Sequence, residues 1–364
     1  MSAPALPFGP GAPGADYARD PFPDLARLRD VAPRYHAPER DAWFFSARAD
    51  IAALLRDDRL GITQGTSFAD RSDPFRATVV RRLRGWFASS GPLLAQTVST
   101  ALDDCLATVA AHAEGDLVPL LAQALPTRVM ASLLGIPASD LPALQKVSEG
   151  LIQGFDLEWD GRPALAAPAS RVLALYFQKH WRGAPATELM ALLRTTQAEF
   201  DLPQASMVDT CSKLFSAGTT TTAACIANIL ARLIEAAEAP HGSGEIPGVE
   251  ELLRLDTPLL ALKRVALAEL RLGEAVIRPG QKAYLLVGSA HRASEGEAPA
   301  PSLTFGLGRY HCLGAALARL EIGALLDPMQ KLAAGMRLSG PIQWRESWLL
   351  HEARSIPFTT HGVS

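Results

Sequence analysis

The chain has 364 residues, a formal net charge of −3 and a hydrophobic content of 48%. That length buries a large core with room to enclose a sizeable ligand, and the near-neutral balance gives no electrostatic footprint for nucleic acid or an anionic membrane surface. Cys105, Cys211, Cys225 and Cys312 lie far apart in neither zinc-ligand nor disulfide-framework spacing, which excludes a stapled small scaffold and fits a reducing cytoplasm. The start, Met1 to Pro10, lacks the basic residues and continuous apolar run of a signal peptide. No later stretch supplies about 18 uninterrupted apolar residues, so no membrane span is expected. Ala and Leu dominate the apolar content, and both favour helix.

Residues 1–19, rich in Pro, Gly and Ala, are predicted as an irregular arm. Asp20 to Leu28 predicts a helix start with Asp24 as N-cap. Trp43-Phe44-Phe45 is a short aromatic strand, and Ala49–Asp57 has helical spacing with Ile51, Leu54 and Leu55 on one face. Thr78 to Leu120 is helical with a break near Ser89-Ser90-Gly91-Pro92, and Arg128–Leu134 is a helix stopped by Gly135-Ile136-Pro137. A loop is expected over 154–168, then helices over 168–182 and 186–198. Met207 to Ala236 is the longest helical pattern, without a strong polar face over about eight turns. It is expected to cross the middle of the protein, with Gly218-Thr219-Thr220-Thr221-Thr222 interrupting it. Glu250–Leu255 is a shorter helix. Residues 264–288 alternate as β-structure does, around a tight turn at Arg278-Pro279-Gly280-Gln281. Residues 293–302 read as loop and Leu313–Leu326 as helix. No repeat and no strong linker appears, so residues 20–364 are expected to form a single domain.

The chemistry concentrates in Phe305-Gly306-Leu307-Gly308-Arg309-Tyr310-His311-Cys312-Leu313-Gly314. The glycines permit tight backbone turns, and a cysteine at a helix start meets N–H groups that favour thiolate over thiol. Gly314 leaves room for a flat ligand to lie close. The competing reading is a small buried apolar cysteine, the commonest use of an isolated free Cys.

This stretch resembles the cysteine-loop signature of the cytochrome P450 superfamily, Phe-Gly-x-Gly-x-(His/Arg)-x-Cys-x-Gly, matching it at Phe305, Gly306, Gly308, Cys312 and Gly314. The resemblance runs from about residue 20 to the C-terminus, including Trp344-Arg345. It implies a mainly α fold with small β-sheets, a single triangular domain that holds heme b between the long central helix and the cysteine-loop helix. It implies Cys312 as the axial thiolate ligand of the iron, Phe305 as a shield for the sulfur, and cofactor contacts from Gly306 and Gly314. Tyr310 stands where the family has a His or Arg at a heme propionate, and a phenol brings a hydrogen bond without a charge.

Other segments extend the resemblance. Glu251 and Arg254 are three residues apart on one helix face, where they can pair, and look like the family's structural Glu-x-x-Arg motif. Thr257-Pro258 through Arg264 is similar to the segment that ends in a propionate-binding arginine, with Leu259, Leu260 and Ala261 toward the substrate. A guanidinium fork suits a carboxylate, so Arg264 is the expected propionate ligand. Arg76, within Asp73-Pro-Phe-Arg76, and Arg81 occupy the region of a second propionate clamp. Ala217-Gly218-Thr219-Thr220-Thr221 resembles the oxygen-activation motif Ala-Gly-x-(Asp/Glu)-Thr, with Thr221 as the hydroxyl and Thr220 at the acidic position without an acid. Helix-interior Thr and Gly also point to a bend, a close neighbour or back-bonding to carbonyls. Between Arg292 and Phe305 the chain is shorter than the family's proximal meander. His112, His180, His241 and His351 show no ligand spacing, and the three other cysteines read as packing residues.

The function implied is a heme-dependent cytoplasmic monooxygenase that activates dioxygen and oxidises a small organic molecule in natural-product biosynthesis. Its partners would be a ferredoxin or flavodoxin-type electron donor with its reductase, with a carrier-protein-tethered substrate as an option. The alternatives are peroxide-driven or non-hydroxylating heme-thiolate chemistry, such as coupling or rearrangement, and a non-catalytic recruitment module.

Overall fold

The aromatic run Trp43-Phe44-Phe45 does form a strand, Ala42–Phe45, with Phe44 and Phe45 buried. It lies in a computed structural model that describes residue 8 and residues 13–62, 74–151, 166–238, 246–293 and 302–360. The chain divides into two units: Met1–Asp70, Glu250–Cys312 and Trp344–His351 form the first, and Arg71–Val249, Leu313–Gln343 and Glu352–Ser364 the second.

In the first unit, five strands run in the order Arg34–Ala37, Ala42–Phe45, Lys282–Leu285, Leu262–Ala266 and Leu60–Gly61. The central pairing of Leu262–Ala266 with Lys282–Leu285 is antiparallel and sets Arg264 opposite Ala283. The predicted turn sits between them, with Gly280 at φ +87°, a region that suits glycine. Phe45, Ile51, Leu54, Leu285, Val287 and Leu303 share one core beside this sheet.

Two local expectations are corrected here. The N-terminal arm is not irregular throughout, because Ala15–Arg19 is helical. Tyr17 is buried and donates to the Trp348 carbonyl at 3.0 Å, and Phe8 stacks on Phe44 with centroids 5.0 Å apart. Long-range aromatic burial outweighs the local Pro and Gly content. Asp24 is not the N-cap of Phe22–Val31; Pro21 holds that position and the Asp20 carboxylate accepts from the Phe22 N–H at 3.2 Å. Asp24 instead pairs with Arg27 one turn on.

In the second unit, Pro74–Ser89 and Gly91–Ala110 are helices broken at Ser90, as the sequence predicts. The helical stretch ends at Ala110, short of Leu120: Glu114–Asp116 is a strand paired with Pro357–Thr360, followed by a π-helical turn over Val118–Ala122. That pairing spans most of the chain, so no local pattern announces it. Ala124–Leu134 stops at Gly135, whose φ is +68°. Ala166–His180 and Glu188–Glu199 follow, the latter capped by the Thr187 hydroxyl, which accepts from the Met190 N–H. The helix after the cysteine loop covers Ala315–Ala333. The loops expected over 154–168 and 293–302 lie largely outside the described residues, as do Asp73 and His241.

The long helix runs Gln204–Glu238 and is continuous through Gly218 to Thr222, so the expected interruption is absent. Thr219, Thr220 and Thr221 donate their hydroxyls to the carbonyls of Phe215, Ser216 and Ala217 and stay helical. Gly218 admits a close neighbour, since a Cβ there would come within 2.5 Å of the Met130 sulfur. Among the described residues this helix alone is long and apolar enough to cross a membrane, yet 78% of its most apolar window is buried in the protein.

Candidate functional site

The cysteine loop belongs to the first unit and is shaped by two glycines with φ of +67°, Gly306 and Gly308. A Cβ on Gly308 would lie 3.1 Å from the Leu55 carbonyl oxygen and 3.3 Å from Arg56 Cα. Both conformation and space therefore select glycine there. Gly306 N–H donates to the Leu303 carbonyl and Cys312 N–H to the Phe305 carbonyl, each at 2.9 Å, which folds the loop back on itself. Gly308–Tyr310 makes a single 3-10 turn.

Cys312 is exposed, whereas Cys105, Cys211 and Cys225 are buried. Burial pushes the Cys105 and Cys211 thiols up to about 11 and about 12, as befits inert packing residues. Cys312 is thus not a small core hydrophobe. It stands ahead of the following helix rather than in its first turn, for that helix starts at Ala315 with Gly314 as N-cap. In the second unit, a Cβ on Gly314 would meet nothing within 4 Å, so the space above its backbone is open.

Arg264 is 6% exposed. Its Nη1 donates to the adjacent Lys263 carbonyl at 2.9 Å, and its guanidinium carbon lies 5.4 Å from the Tyr310 ring centroid. Burial lowers its pKa to about 10, with Tyr310 opposing that shift. No carboxylate of the described residues pairs with it. An unpaired buried guanidinium is costly unless an anion meets it, and Nη2 lies 3.9 Å from the position a Gly306 Cβ would take, beside the cysteine loop. Within the first unit these features fit the group that the sequence resemblance implies: an exposed cysteine for iron on a loop shaped by two glycines, and a buried cation for a propionate. Tyr310 and Phe305 are both half-buried, and the Phe305 and His311 rings lie 6.5 Å apart.

The Glu251–Arg254 pair forms as the spacing predicts. Arg254 Nε donates to Glu251 Oε2 at 2.7 Å, Nη2 to Oε1, and Nη1 to the His291 carbonyl. Thr304 Oγ1 donates to the Leu253 carbonyl at 2.7 Å, joining the same helix to the base of the cysteine loop. His291, absent from the sequence-based site, accepts the Leu303 N–H on Nε2 at 2.8 Å. Nothing local distinguishes it; only the fold brings residues 254, 291 and 303 together. Of the three residues expected to face substrate, Leu260 is buried against Gly288, Ala261 is 8% exposed, and Leu259 keeps partial exposure.

In the second unit, Ala217 is exposed and Thr221 partly exposed, one turn apart on a helix that is otherwise mostly buried. The Thr221 hydroxyl reaches its carbonyl at 3.2 Å, against 2.8 Å for Thr219 and Thr220. Thr220 is 3% exposed and its hydroxyl is committed to Ser216. Arg76 pairs with Asp209 at 3.4 Å, and Arg81 is exposed on the helix Pro74–Ser89. Glu321, on Ala315–Ala333, is 1% exposed with both carboxyl oxygens lacking a partner among the described residues.

No protein-family model matches the chain. It is 26% identical over 374 residues to a biotin biosynthesis cytochrome P450 of Bacillus subtilis, spanning 91% of this chain and 93% of that one. It is 29% identical over 393 residues to the cytochrome P450 monooxygenase PikC of Streptomyces venezuelae, spanning 95% and 92%. The crystal structure of CalO2 superposes with a TM-score of 0.79 at 22% identity, over 99% of this chain and 100% of that. A P450BioI structure in complex with a fatty-acid-ligated acyl carrier protein gives 0.71 at 22% identity, over 95% and 99%. These two structures share the fold.

Proposed function

The chain belongs to the cytochrome P450 superfamily, and from that premise we propose a heme b-dependent monooxygenase that oxidises a small organic molecule in natural-product biosynthesis. The observation that carries the proposal is the exposed Cys312, on a loop with two positive-φ glycines, beside a buried guanidinium that has no carboxylate partner among the described residues. Bound heme supplies the iron-centred activation of dioxygen that no side chain provides.

The chain's residues divide the remaining tasks. Cys312 ligates through its thiolate, held by the Cys312 N–H to Phe305 carbonyl bond. Arg264 neutralises a propionate in a dry environment, where a charge-assisted bond is strong. Tyr310 packs under that guanidinium and offers its phenol as a second donor. Thr221, the loosely held hydroxyl of its run, positions and passes a proton at Oγ1. Arg76 already has Asp209 as a partner on its own unit, so Arg264 carries the clamp.

Electrons come from a ferredoxin or flavodoxin-type donor with its reductase, in the cytoplasm. A carrier-tethered substrate is a natural extension, since a relative of the same fold holds an acyl carrier protein. A strongly red-shifted Soret band of the reduced, carbon monoxide-bound protein tests the thiolate, and turnover with a surrogate reductase tests the monooxygenase. A normal pigment without oxygenated product from any accepted ligand refutes the latter.

One observation favours a second reading, peroxide-driven or coupling chemistry. Thr220 replaces the family's acid and points its hydroxyl into the helix, so no carboxylate relays protons from that position. The reading requires Thr220→Asp to change the coupling of electron uptake to product, and unchanged coupling refutes it.

A further inference from the structure

His291 is fully buried, and its two polar ends reach two different parts of the first unit. Its carbonyl accepts from Arg254, whose remaining nitrogens grip Glu251. Its ring Nε2 accepts the Leu303 N–H at 2.8 Å, which requires the tautomer with the proton on Nδ1. Burial, reinforced by Arg48 and Arg254, pushes the imidazole down to about 3, so that acceptor persists across the working pH range.

Leu303 is the point from which the cysteine loop departs. Its carbonyl takes the Gly306 N–H, and the Phe305 carbonyl takes the Cys312 N–H, each at 2.9 Å. Thr304 fastens the same segment to the Leu253 carbonyl. A continuous series of hydrogen bonds therefore runs from Glu251 through Arg254, His291 and Leu303 to the backbone that presents the sulfur. Hydrogen bonds behind a metal ligand orient it and tune its electron donation.

We propose that His291 is a positioning residue for Cys312, tying the Glu251–Arg254 pair to the segment that feeds the cysteine loop and so setting where the thiolate stands. The inference rests on the heme-thiolate reading above and adds a residue to it. Removing the ring acceptor strips Leu303 of its partner in a buried place, and the loop is the nearest element free to relax.

The test compares holoprotein of wild type, His291→Gln and His291→Met. Gln returns an acceptor oxygen near the Nε2 position, whereas Met fills the volume with only a weak one. The readout is the rate at which the red-shifted Soret band of the reduced, carbon monoxide-bound protein converts to the unshifted band. Conversion is expected to be about tenfold faster in His291→Met, the scale of one buried amide left unpaired, and within about twofold of wild type in His291→Gln. A wild-type rate in His291→Met, or an equal acceleration in both variants, overturns the inference and leaves the heme-thiolate reading standing. Absence of the red-shifted band in wild type overturns that reading and the inference with it. If His291→Met yields no soluble protein, hydrogen exchange at the Leu303 amide of wild-type holoprotein decides: protection supports the bond, and exchange at the rate of open backbone overturns the proposal.

Discussion

Glu321 gives the sharpest energetic prediction. Its carboxyl is buried on the helix Ala315–Ala333, and neither oxygen has a partner among the described residues. Burial holds its pKa well above the ordinary glutamate value of 4.5. The sign follows from linkage. A raised folded pKa contributes stability that is complete below the unfolded value and is lost as pH rises toward the folded one. Across that window the folded protein holds one proton more than the unfolded chain, so this group makes stability fall by about 1.4 kcal/mol per pH unit. Glu321→Gln keeps the shape and removes the titration, and its amide stands unpartnered as the carboxyl does, so what separates the two proteins is chiefly the pH dependence. The variant is therefore expected to gain on wild type by about 1.4 kcal/mol per pH unit as pH rises from the unfolded carboxyl value toward the raised folded one. Urea unfolding of both holoproteins at a series of pH values measures this. All other titrating groups are shared, so the difference between the two curves isolates Glu321. A difference that stays flat with pH, within about 0.3 kcal/mol per unit, would show that the carboxyl is ionised in the folded protein and refute the reasoning.

Three further outcomes are expected. Gly308→Ala loses about 1–2 kcal/mol from the positive φ alone and more from the Leu55 carbonyl, which lies 3.1 Å from the new Cβ; a thermal midpoint equal to wild type contradicts the loop geometry. Arg264→Ala releases heme to an apoglobin acceptor roughly tenfold to hundredfold faster, the worth of about 1.5–3 kcal/mol for a charged hydrogen bond, with Arg264→Lys intermediate because a point charge lacks the fork; equal release rates remove Arg264 from the cofactor clamp. Thr221→Val, an isosteric loss of one hydroxyl, lowers product formed per electron pair by about tenfold or more while substrate binding is retained, and unaltered coupling dismisses the proton role.

The cysteine loop was legible from sequence because its determinants are local. Two glycines with positive φ, a helix that starts three residues beyond the cysteine and a Glu-x-x-Arg spacing are all encoded within a few residues of themselves. The long helix was legible for a related reason, its lack of a strong polar face. What the sequence left open, or suggested wrongly, depended on partners far along the chain. The Thr run stays helical through back-bonds, and its glycine is explained only by Met130. The N-terminal arm is held by Phe44 and Trp348, and Glu114–Asp116 is a strand because Pro357–Thr360 lies beside it.

By itself, the order of residues singled out Cys312 and the turns that present it, since φ preferences and helix starts are properties of neighbours along the backbone. The tertiary structure alone decided which groups were taken out of water. It exposed Cys312 while burying the other cysteines, left Arg264 dry with no carboxylate partner among the described residues, and set His291 between Arg254 and Leu303. Desolvation depends on what closes over a side chain from every direction, and that information is spread across the whole chain.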